Sequence, residues 1–449
     1  MASSPPISLP AEASPSRLDP LVRPLQAFLS AESAGGVVLI IATAIALIWA
    51  NSPWGDAYAH FWHTPLSISL GGAAVGLSLE EWVNDALMVV FFLLVGLEIK
   101  RELLLGELAH FGRAALPVAA AIGGMVVPAL LYTALNFGGP GSHGWGVPMA
   151  TDIAFAVGVL ALAGRGVPAS VKVFLLAIAI VDDLGAVLVI AFFYTAKVHL
   201  AALGIAGAFL AALVLLNLLR VHRPLPYILL GIGLWAATLA SGIHATVAGV
   251  LLAFCIPASR QLEERPYVDH VRRALADFEV DAALTADHIT PDQSHALHTI
   301  GEASRAVQAP LARVEHALLR PVNFLIVPLF ALANAGVDLR GGLAPALASP
   351  IAWGVLAGLL AGKTIGVLLA SYIAIKTGIA AMPAGATVRQ VIGVAVLCGI
   401  GFTMSLFVAN LAFPASAEHL ADTKVGILAA SLLAGLLGAA ILSFPSKKT

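Results

Sequence analysis

The stretch KVFLLAIAIVDDLGAVLVIAFFYT, residues 172–195, reads as a helix that belongs in lipid, yet it carries two adjacent acids, Asp182 and Asp183, near its middle. A helix of about 20 apolar residues crosses a hydrocarbon layer. A charge at that depth costs on the order of 3 kcal/mol or more unless a polar cavity or a partner receives it. The pair therefore predicts a helix packed inside a bundle. The two side chains leave the axis about 100° apart, so the expectation is that one points into a funnel and the other meets a neighbouring helix. Adjacent carboxylates in a medium of low dielectric do not readily ionise together, and they titrate as a coupled pair. Such a pair holds a proton when empty and gives it up when a cation arrives, which is the chemistry of exchange. The structural alternative is a pair satisfied by helix packing.

The rest of the chain has the same solvent. Of its 449 residues 59% are apolar and only 11% charged, and the mean hydropathy is +0.93. Both values lie far from those of soluble domains. Apolar runs recur near 35–50, 81–99, 113–137, 146–163, 171–195, 199–219, 225–240, 242–257, 318–336, 351–375, 389–412 and 423–443. They predict an all-α polytopic membrane protein of 12 transmembrane helices, with helices 1–8 within 25–257 and helices 9–12 within 318–443. Residues 1–24, rich in Pro, Ser and Ala, read as a disordered tail rather than a cleaved signal. Residues 444–449 read as a short second tail, and 258–317 as a hydrophilic cytoplasmic loop with room for one or two amphipathic helices. With both termini in the cytoplasm, 20 of the 24 Lys and Arg fall inside. Only Lys197, Arg340 and Lys424 fall outside, and Lys363 falls within a span. That bias is what the positive-inside rule demands.

Most predicted spans lack ionisable groups, so the exceptions carry information. Asp152 follows Thr151 in the run GWGVPMATDIAFAVGVLALAG, where a hydroxyl beside a carboxylate offers the oxygen ligands a small hard cation prefers. Pro148 and Gly158 allow an interruption there, which would aim backbone dipole ends at the site. Lys363 is centred in IAWGVLAGLLAGKTIGVLLASYI and requires an anion. The expected partner is Asp182 or Asp183, with Asp182 favoured. Its role is left open between carrying a proton and stabilising the acids by its charge. Gly358 and Gly362, four apart, permit close helix contact. Gly399, Gly401 and Thr403 lie in the middle of AVLCGIGFTMSLFVANLAF. They predict an extended break, with close packing by small residues as the alternative. Helices 4 and 11 would then be discontinuous, in corresponding positions of two inverted-topology repeats, helices 3–5 and 10–12. Glu98 and Arg101, three apart in LVGLEIKREL, suit either a local ion pair or a pH-responsive cluster at the cytoplasmic mouth. His244 reads as a structural polar residue at a helix start. His270, His288, His295 and His298 are weak as a metal set, because no cysteine accompanies them.

Cys255 and Cys398, the two cysteines, lie in apolar runs and suggest neither a disulfide framework nor a zinc site. The net charge of −2 says little about partners, and no nucleic-acid partner is expected. Motifs of hydrolases, metalloproteases and phosphate loops are missing, so an enzyme is disfavoured and no cofactor is expected. A cation channel is the rival reading, although channels use rings of coordinating groups rather than a compact asymmetric acidic cluster.

The strings VNDALMVVFFLLVGLEIKREL (83–103), ATDIAFAVGVLAL (150–162), KVFLLAIAIVDDLGAVLVIAFFYT (172–195), SGIHATVAGV (241–250), PLFALANAGV (328–337), AGKTIG (361–366) and CGIGFTMSLFVANLAF (398–413) resemble, in this order, the NhaA family of bacterial sodium/proton antiporters. The resemblance covers roughly 25–255 and 318–440. It implies an electrogenic inner-membrane exchanger of internal Na+ or Li+ for external H+, serving sodium extrusion and cytoplasmic pH homeostasis. Inverted repeats with broken helices are known features of this family. By the same resemblance Asp182 and Asp183 match the ion-binding pair, with Thr151 and Asp152 close by on the broken fourth helix. Lys363 matches the lysine paired with the first aspartate, Glu98 and Arg101 the pH-responsive cluster, and Gly399 to Thr403 the break of the eleventh helix. A homodimer through a small extracellular hairpin between Asn51 and Glu80 is implied as well. The 258–317 segment is longer than this family's pattern suggests.

Overall fold

A computed structural model of the chain describes residues 34–70, 73–164, 166–195, 198–281, 290–340 and 348–443. Both predicted tails, with Arg17, Arg23, Lys447 and Lys448, lie outside the described residues, as do Arg165, Lys197 and His288. The chain runs through α1 (Ala34–Asn51), α2 (Gly55–Trp62), β1 (Pro65–Leu70), β2 (Ala73–Ser78) and α3 (Leu79–Leu105). It continues through α4 (Phe111–Leu135), a 3-10 segment (Ser142–Met149), α5 (Ile153–Ala163), α6 (Ala169–Phe193), α7 (Leu200–Leu218), α8 (Pro224–Ser241) and α9 (Thr246–Cys255). Then follow α10 (Glu264–Asp281), α11 (Pro291–Val307), α12 (Pro310–Asn334), α13 (Pro350–Lys376), α14 (Val388–Leu397), α15 (Phe402–Ala412) and α16 (Ala417–Ser443).

Among the described residues ten helices are long and apolar enough to cross a membrane, counting α14 with α15 as one, and the bent pair 142–149 with 153–163 makes eleven. The eighth predicted run, 242–257, is helical only over Thr246–Cys255. Gly242 sits at φ 82°, a left-handed conformation that ends α8 and consumes the start of that run in a turn. What remains, at about 1.5 Å per residue, is half the length of a full crossing. The described residues are otherwise helical apart from one antiparallel pair, β1–β2, which falls between Asn51 and Glu80 and is in register from Pro65 opposite Ser78 to Leu70 opposite Ala73. It feeds α3 through Ser78, whose hydroxyl accepts the Glu81 N–H while the Glu81 carboxylate accepts the Ser78 N–H. Nearby, Arg340 bridges Asp56 and Asp338 at 3.0 and 2.8 Å, and its hydrogen bonds hold the Asp338 carboxyl below the usual carboxylate range.

Burial sorts centre from edge. An 18-residue stretch of Val388–Ala412 is 94% buried, whereas one of Leu200–Leu218 is 11% buried, and that helix turns Leu200, Ile205 and Leu218 outward. Between helices in lipid there is little hydrophobic drive, so small residues and polar contacts must hold them. The α4–α13 contact uses glycine on both sides: a Cβ on Gly366 would meet the Gly123 carbonyl oxygen at 2.1 Å, and one on Gly362 the Pro128 Cα at 2.8 Å. Just before Lys363, residues Gly358–Gly362 form a π-helical turn that displaces the lysine from its regular α-helical position. The segment between α9 and α12 holds α10 and α11, packed on each other, with the Gln261 and Leu262 N–H groups donating to the Ala306 carbonyl. Helix α12 starts at Pro310, eight residues ahead of the predicted 318, because Ala309 and Pro310 supply a start and its first turns are amphipathic rather than apolar.

Gly366→Leu is expected to force α4 and α13 apart at a cost of about 3 kcal/mol, since a backbone carbonyl blocks the new side chain. A thermal melt of the detergent-solubilised protein checks this, and an unchanged melting temperature would contradict the close approach.

Candidate functional site

Two interruptions meet at the centre. Residues 150–152 are extended between the 3-10 segment and α5, which are bent by 41°. Residues 398–401 leave the helix between α14 and α15. Each interruption frees backbone groups that water would otherwise satisfy, and here they satisfy each other. The Asp152 N–H donates to the Ile400 carbonyl at 2.6 Å. The Thr151 hydroxyl reaches the Cys398 carbonyl at 2.9 Å and the Asp182 Oδ2 at 2.8 Å. Gly401 allows the approach, since a Cβ there would lie 2.1 Å from Ser405 Oγ and 3.1 Å from the Ala150 carbonyl oxygen. Gly399 packs likewise on the Leu359 carbonyl.

Asp152 is thus not within a regular helix but at the N-terminus of α5. Its Oδ1 accepts the Phe155 N–H at 2.9 Å, and its Oδ2 accepts both the N–H and the hydroxyl of Thr403, the former at 3.0 Å. One carboxylate therefore ties the N-termini of α5 and α15, where aligned peptide dipoles favour negative charge.

Asp182 and Asp183 sit midway along α6, at 0% and 1% exposure. Lys363 Nζ lies 2.7 Å from Asp182 Oδ2 and also donates to the Met149 carbonyl, with the whole side chain buried. Asp182 Oδ1 and Asp183 Oδ1 are buried without a hydrogen-bond partner. Three buried carboxyls face one buried ammonium, an imbalance that protons or a small cation must neutralise. The three acids do not close into a cage: among the described residues no three His, Cys, Asp or Glu side chains are placed as metal ligands. A cavity of about 320 Å³, lined among others by Glu98, Lys172, Asn323 and Met404, extends from the Lys172 end of α6 as far as Asp152 and Thr403.

The local pairing of Glu98 with Arg101 is not what the structure contains. Arg101 Nη1 bonds Glu315 Oε1 of α12 at 2.5 Å and its Nη2 bonds Glu102 at 3.3 Å, because Glu98 turns into the cavity while Arg101 reaches across its rim. Glu315 was not anticipated, being 214 residues away in an amphipathic run. Lys100 caps α9, donating to the Phe254 and Ile256 carbonyls at 2.7 and 2.5 Å. His244 holds the Tyr194 carbonyl at 2.8 Å, between the end of α6 and the start of α9.

The family model described as Na+/H+ antiporter 1 matches residues 26–442, nearly the whole chain. The chain belongs to the Na+/H+ antiporter 1 family. Among its relatives, the Na(+)/H(+) antiporter NhaA of Sulfurimonas denitrificans is 46% identical over 431 residues, covering 95% of this chain and 96% of that protein. The NhaA protein of Oleidesulfovibrio alaskensis is 48% identical over 431 residues, with 95% of each chain covered. That of Bordetella bronchiseptica is 48% identical over 419 residues, covering 93% of this chain and 96% of its own. The antiporter family assignment thus spans both interruptions, α6 and α13 together.

Removing one member of the buried pair is expected to cost more than removing both. Lys363→Met should destabilise the solubilised protein by about 3–5 kcal/mol, and adding Asp182→Asn should recover part of that loss. A double variant that melts no higher than Lys363→Met alone would show that Asp182 is not ionised against the lysine.

Proposed function

We propose that this chain is a secondary antiporter of a bacterial inner membrane, exporting Na+ or Li+ in exchange for external H+ and so serving sodium extrusion and cytoplasmic pH homeostasis. The observation that carries the reading is the excess of buried carboxyls, Asp152, Asp182 and Asp183, over the single ammonium of Lys363. Such a centre is stable only when protons or a cation balance it. Because the same oxygens serve both, the two ligands exclude each other, and that exclusion couples their transport. Asp182 and Asp183 bind the cation, with Thr151 and Asp152 as auxiliary oxygen donors. Lys363 occupies Asp182 when the cation is gone, either surrendering its own proton in the cycle or acting as a fixed counter-charge. Asp152 also couples the α5 and α15 ends, so that a change at the site is felt by both. Na+, Li+ and H+ are cargo rather than cofactors.

The architecture fits alternating access across 12 spans, counting the bent pair as the fourth and α9 as the eighth. Helices 3–5 (α4, the bent pair, α6) and 10–12 (α13, α14 with α15, α16) form two repeats seven spans apart. That odd offset reverses their direction, and the discontinuous helices 4 and 11 cross at the site. The basic-residue bias supports cytoplasmic termini and a cytoplasmic 258–317 segment. Glu98 and Arg101, with Glu315, form a regulatory cluster at the inner cavity, where protonation alters a network of like charges. The β1–β2 pair, with Leu66 and Ile68 exposed, suits self-association into a homodimer on the outer side.

In proteoliposomes with clamped voltage, Na+ or Li+ is expected to drive proton movement and K+ is not. Asp183→Asn should abolish it. Lowering the pH should raise the half-saturating Na+ concentration by up to about tenfold per pH unit for one displaced proton. Full activity of Asp183→Asn would refute the site, and cation current without proton counterflow would identify a channel instead.

A further inference from the structure

On the side of the centre opposite the Glu98 cavity lies a second one, of about 460 Å³, lined among others by Glu80, Asn84, Asp338, Asn410 and Lys424. In the orientation proposed above it is the outer vestibule. Two layers separate it from the carboxylates, and α3, α12 and α15 each contribute one residue to each layer. The deeper layer is aromatic. Phe92, Phe330 and Phe407 are all at most 1% exposed, with Phe407 centred 5.2 Å from Phe92 and 6.2 Å from Phe330. The outer layer is three amides. Asn334 Oδ1 accepts from Asn410 Nδ2 at 2.5 Å and from Asn84 Nδ2 at 3.3 Å, while Asn334 Nδ2 donates to Asn84 Oδ1 at 2.8 Å and to the Phe330 carbonyl at 2.9 Å. Asn84 and Asn410 border the vestibule, and Asn334 is fully buried.

We infer that Asn84, Asn334 and Asn410 form the latch of the outer gate, holding α15 against α3 and α12 so that the carboxylates are closed to the vestibule. The latch couples to the site through α15 itself. Thr403 grips Asp152 in the first turn of that helix, and Asn410 lies seven residues on, about 10 Å along the axis and on nearly the same face. A displacement of α15 that follows a change at Asp152 therefore pulls on the amide contacts at its other end. Phe407 travels with the same helix, so releasing the amides also draws a ring out of the aromatic layer.

The chemistry suits a gate that has to open. Neutral amides lock in a defined geometry but carry no charge that would trap a passing cation. Asn410 Oδ1 is buried without a partner, so the network is incompletely satisfied and stands closer to opening than a saturated one. Asn84, Asn334 and Asn410 act on transport through α15 and do not hold the ion. They are positioning residues.

The inference rests on the exchange and orientation proposed above, and two readouts separate its failure from theirs. In the first, Na+-driven proton movement is measured from each side of oriented vesicles. Asn410→Ala removes side-chain contacts of modest strength and should raise the outward-open fraction by about threefold to tenfold. The half-saturating Na+ concentration on the vestibule side should fall by the same factor, while that on the Glu98 side stays within about twofold. A residue that only supports folding would lower the rate from both sides and leave the ratio of the two constants unchanged, which would overturn the latch. Asn84→Ala breaks the same network from α3 and should shift the ratio in the same direction even where Asn410→Ala assembles poorly. The second readout needs no transport. With Phe407→Cys introduced beneath the amides and Cys255→Ser and Cys398→Ser in the background, a membrane-impermeant thiol reagent added on the vestibule side should react at least about threefold faster when Asn410→Ala is also present. Equal labelling rates would overturn the latch, whereas absence of Na+-driven proton movement in the parent protein would overturn the exchange reading alone.

Discussion

The pair of Lys363 with Asp182 is the contact on which the rest of this structure depends. An ammonium and a carboxylate with no exposed surface, 2.7 Å apart, are tolerable at membrane depth only because each is also hydrogen-bonded, Lys363 to the Met149 carbonyl and Asp182 to Thr151. Those supports come from Met149, the last residue of the 3-10 segment, and from Thr151 in the extended residues beside it, whose freed groups find partners at the second interruption through Cys398, Ile400 and Thr403. The pair, the two breaks and the glycines that let them touch are thus one construction. An intact helix in either place would remove the carbonyls and hydroxyl that make the ion pair affordable.

Much of this was legible in the sequence because charge is so sparse in the apolar runs. Asp182, Asp183 and Lys363 stand out against spans without ionisable groups, and the glycines from 399 to 401 mark backbone that need not be helical. Other parts have no signature in a sequence. Backbone carbonyls complete the surroundings of Lys363 and Thr151, and a carbonyl is present at every residue. Asp152 was readable as an acid in a span, but Pro148 and Gly158 are equally compatible with a kinked continuous helix. It is the extended backbone at Asp152 and the Phe155 N–H turned toward its carboxylate that make it the cap of α5. Arg101 and Glu98 are spaced for a local ion pair as well as for a cluster at the cytoplasmic mouth, because helical spacing reports only local contacts. The Arg101 partner Glu315 comes from a helix that sequence distance hides.

The same limit explains the short α9. Hydropathy over 242–257 is high enough for a span, yet hydropathy does not say where a helix begins. Gly242, in a left-handed conformation, ends one helix, and three further residues pass before the next hydrogen-bonded turns. Lys100 and Asn217 then cap the far end of α9 by donating to the carbonyls of Phe254, Ile256 and Cys255. These contacts reach from α3 and α7, so the end of α9 is set by its neighbours as well as by its own residues.

A protein that must rearrange inside a membrane faces a particular constraint on what holds it together. Apolar packing against neighbours is scarcely better than packing against lipid, so it neither drives nor resists a helix shift strongly. Polar contacts between membrane helices are individually weak, on the order of 0.6 kcal/mol in measured cases. The centre of this molecule places such contacts where helices meet: Thr151 and Asp152 against the α14–α15 break, Thr403 against α5, and Asn334 against α3 and α15. Breaking several together costs a few kcal/mol, within what neutralising a buried carboxylate can supply. The glycine contacts of α4 and α13, by contrast, leave no room for a side chain between the two backbones, so that seam is set by close packing rather than by polar contacts.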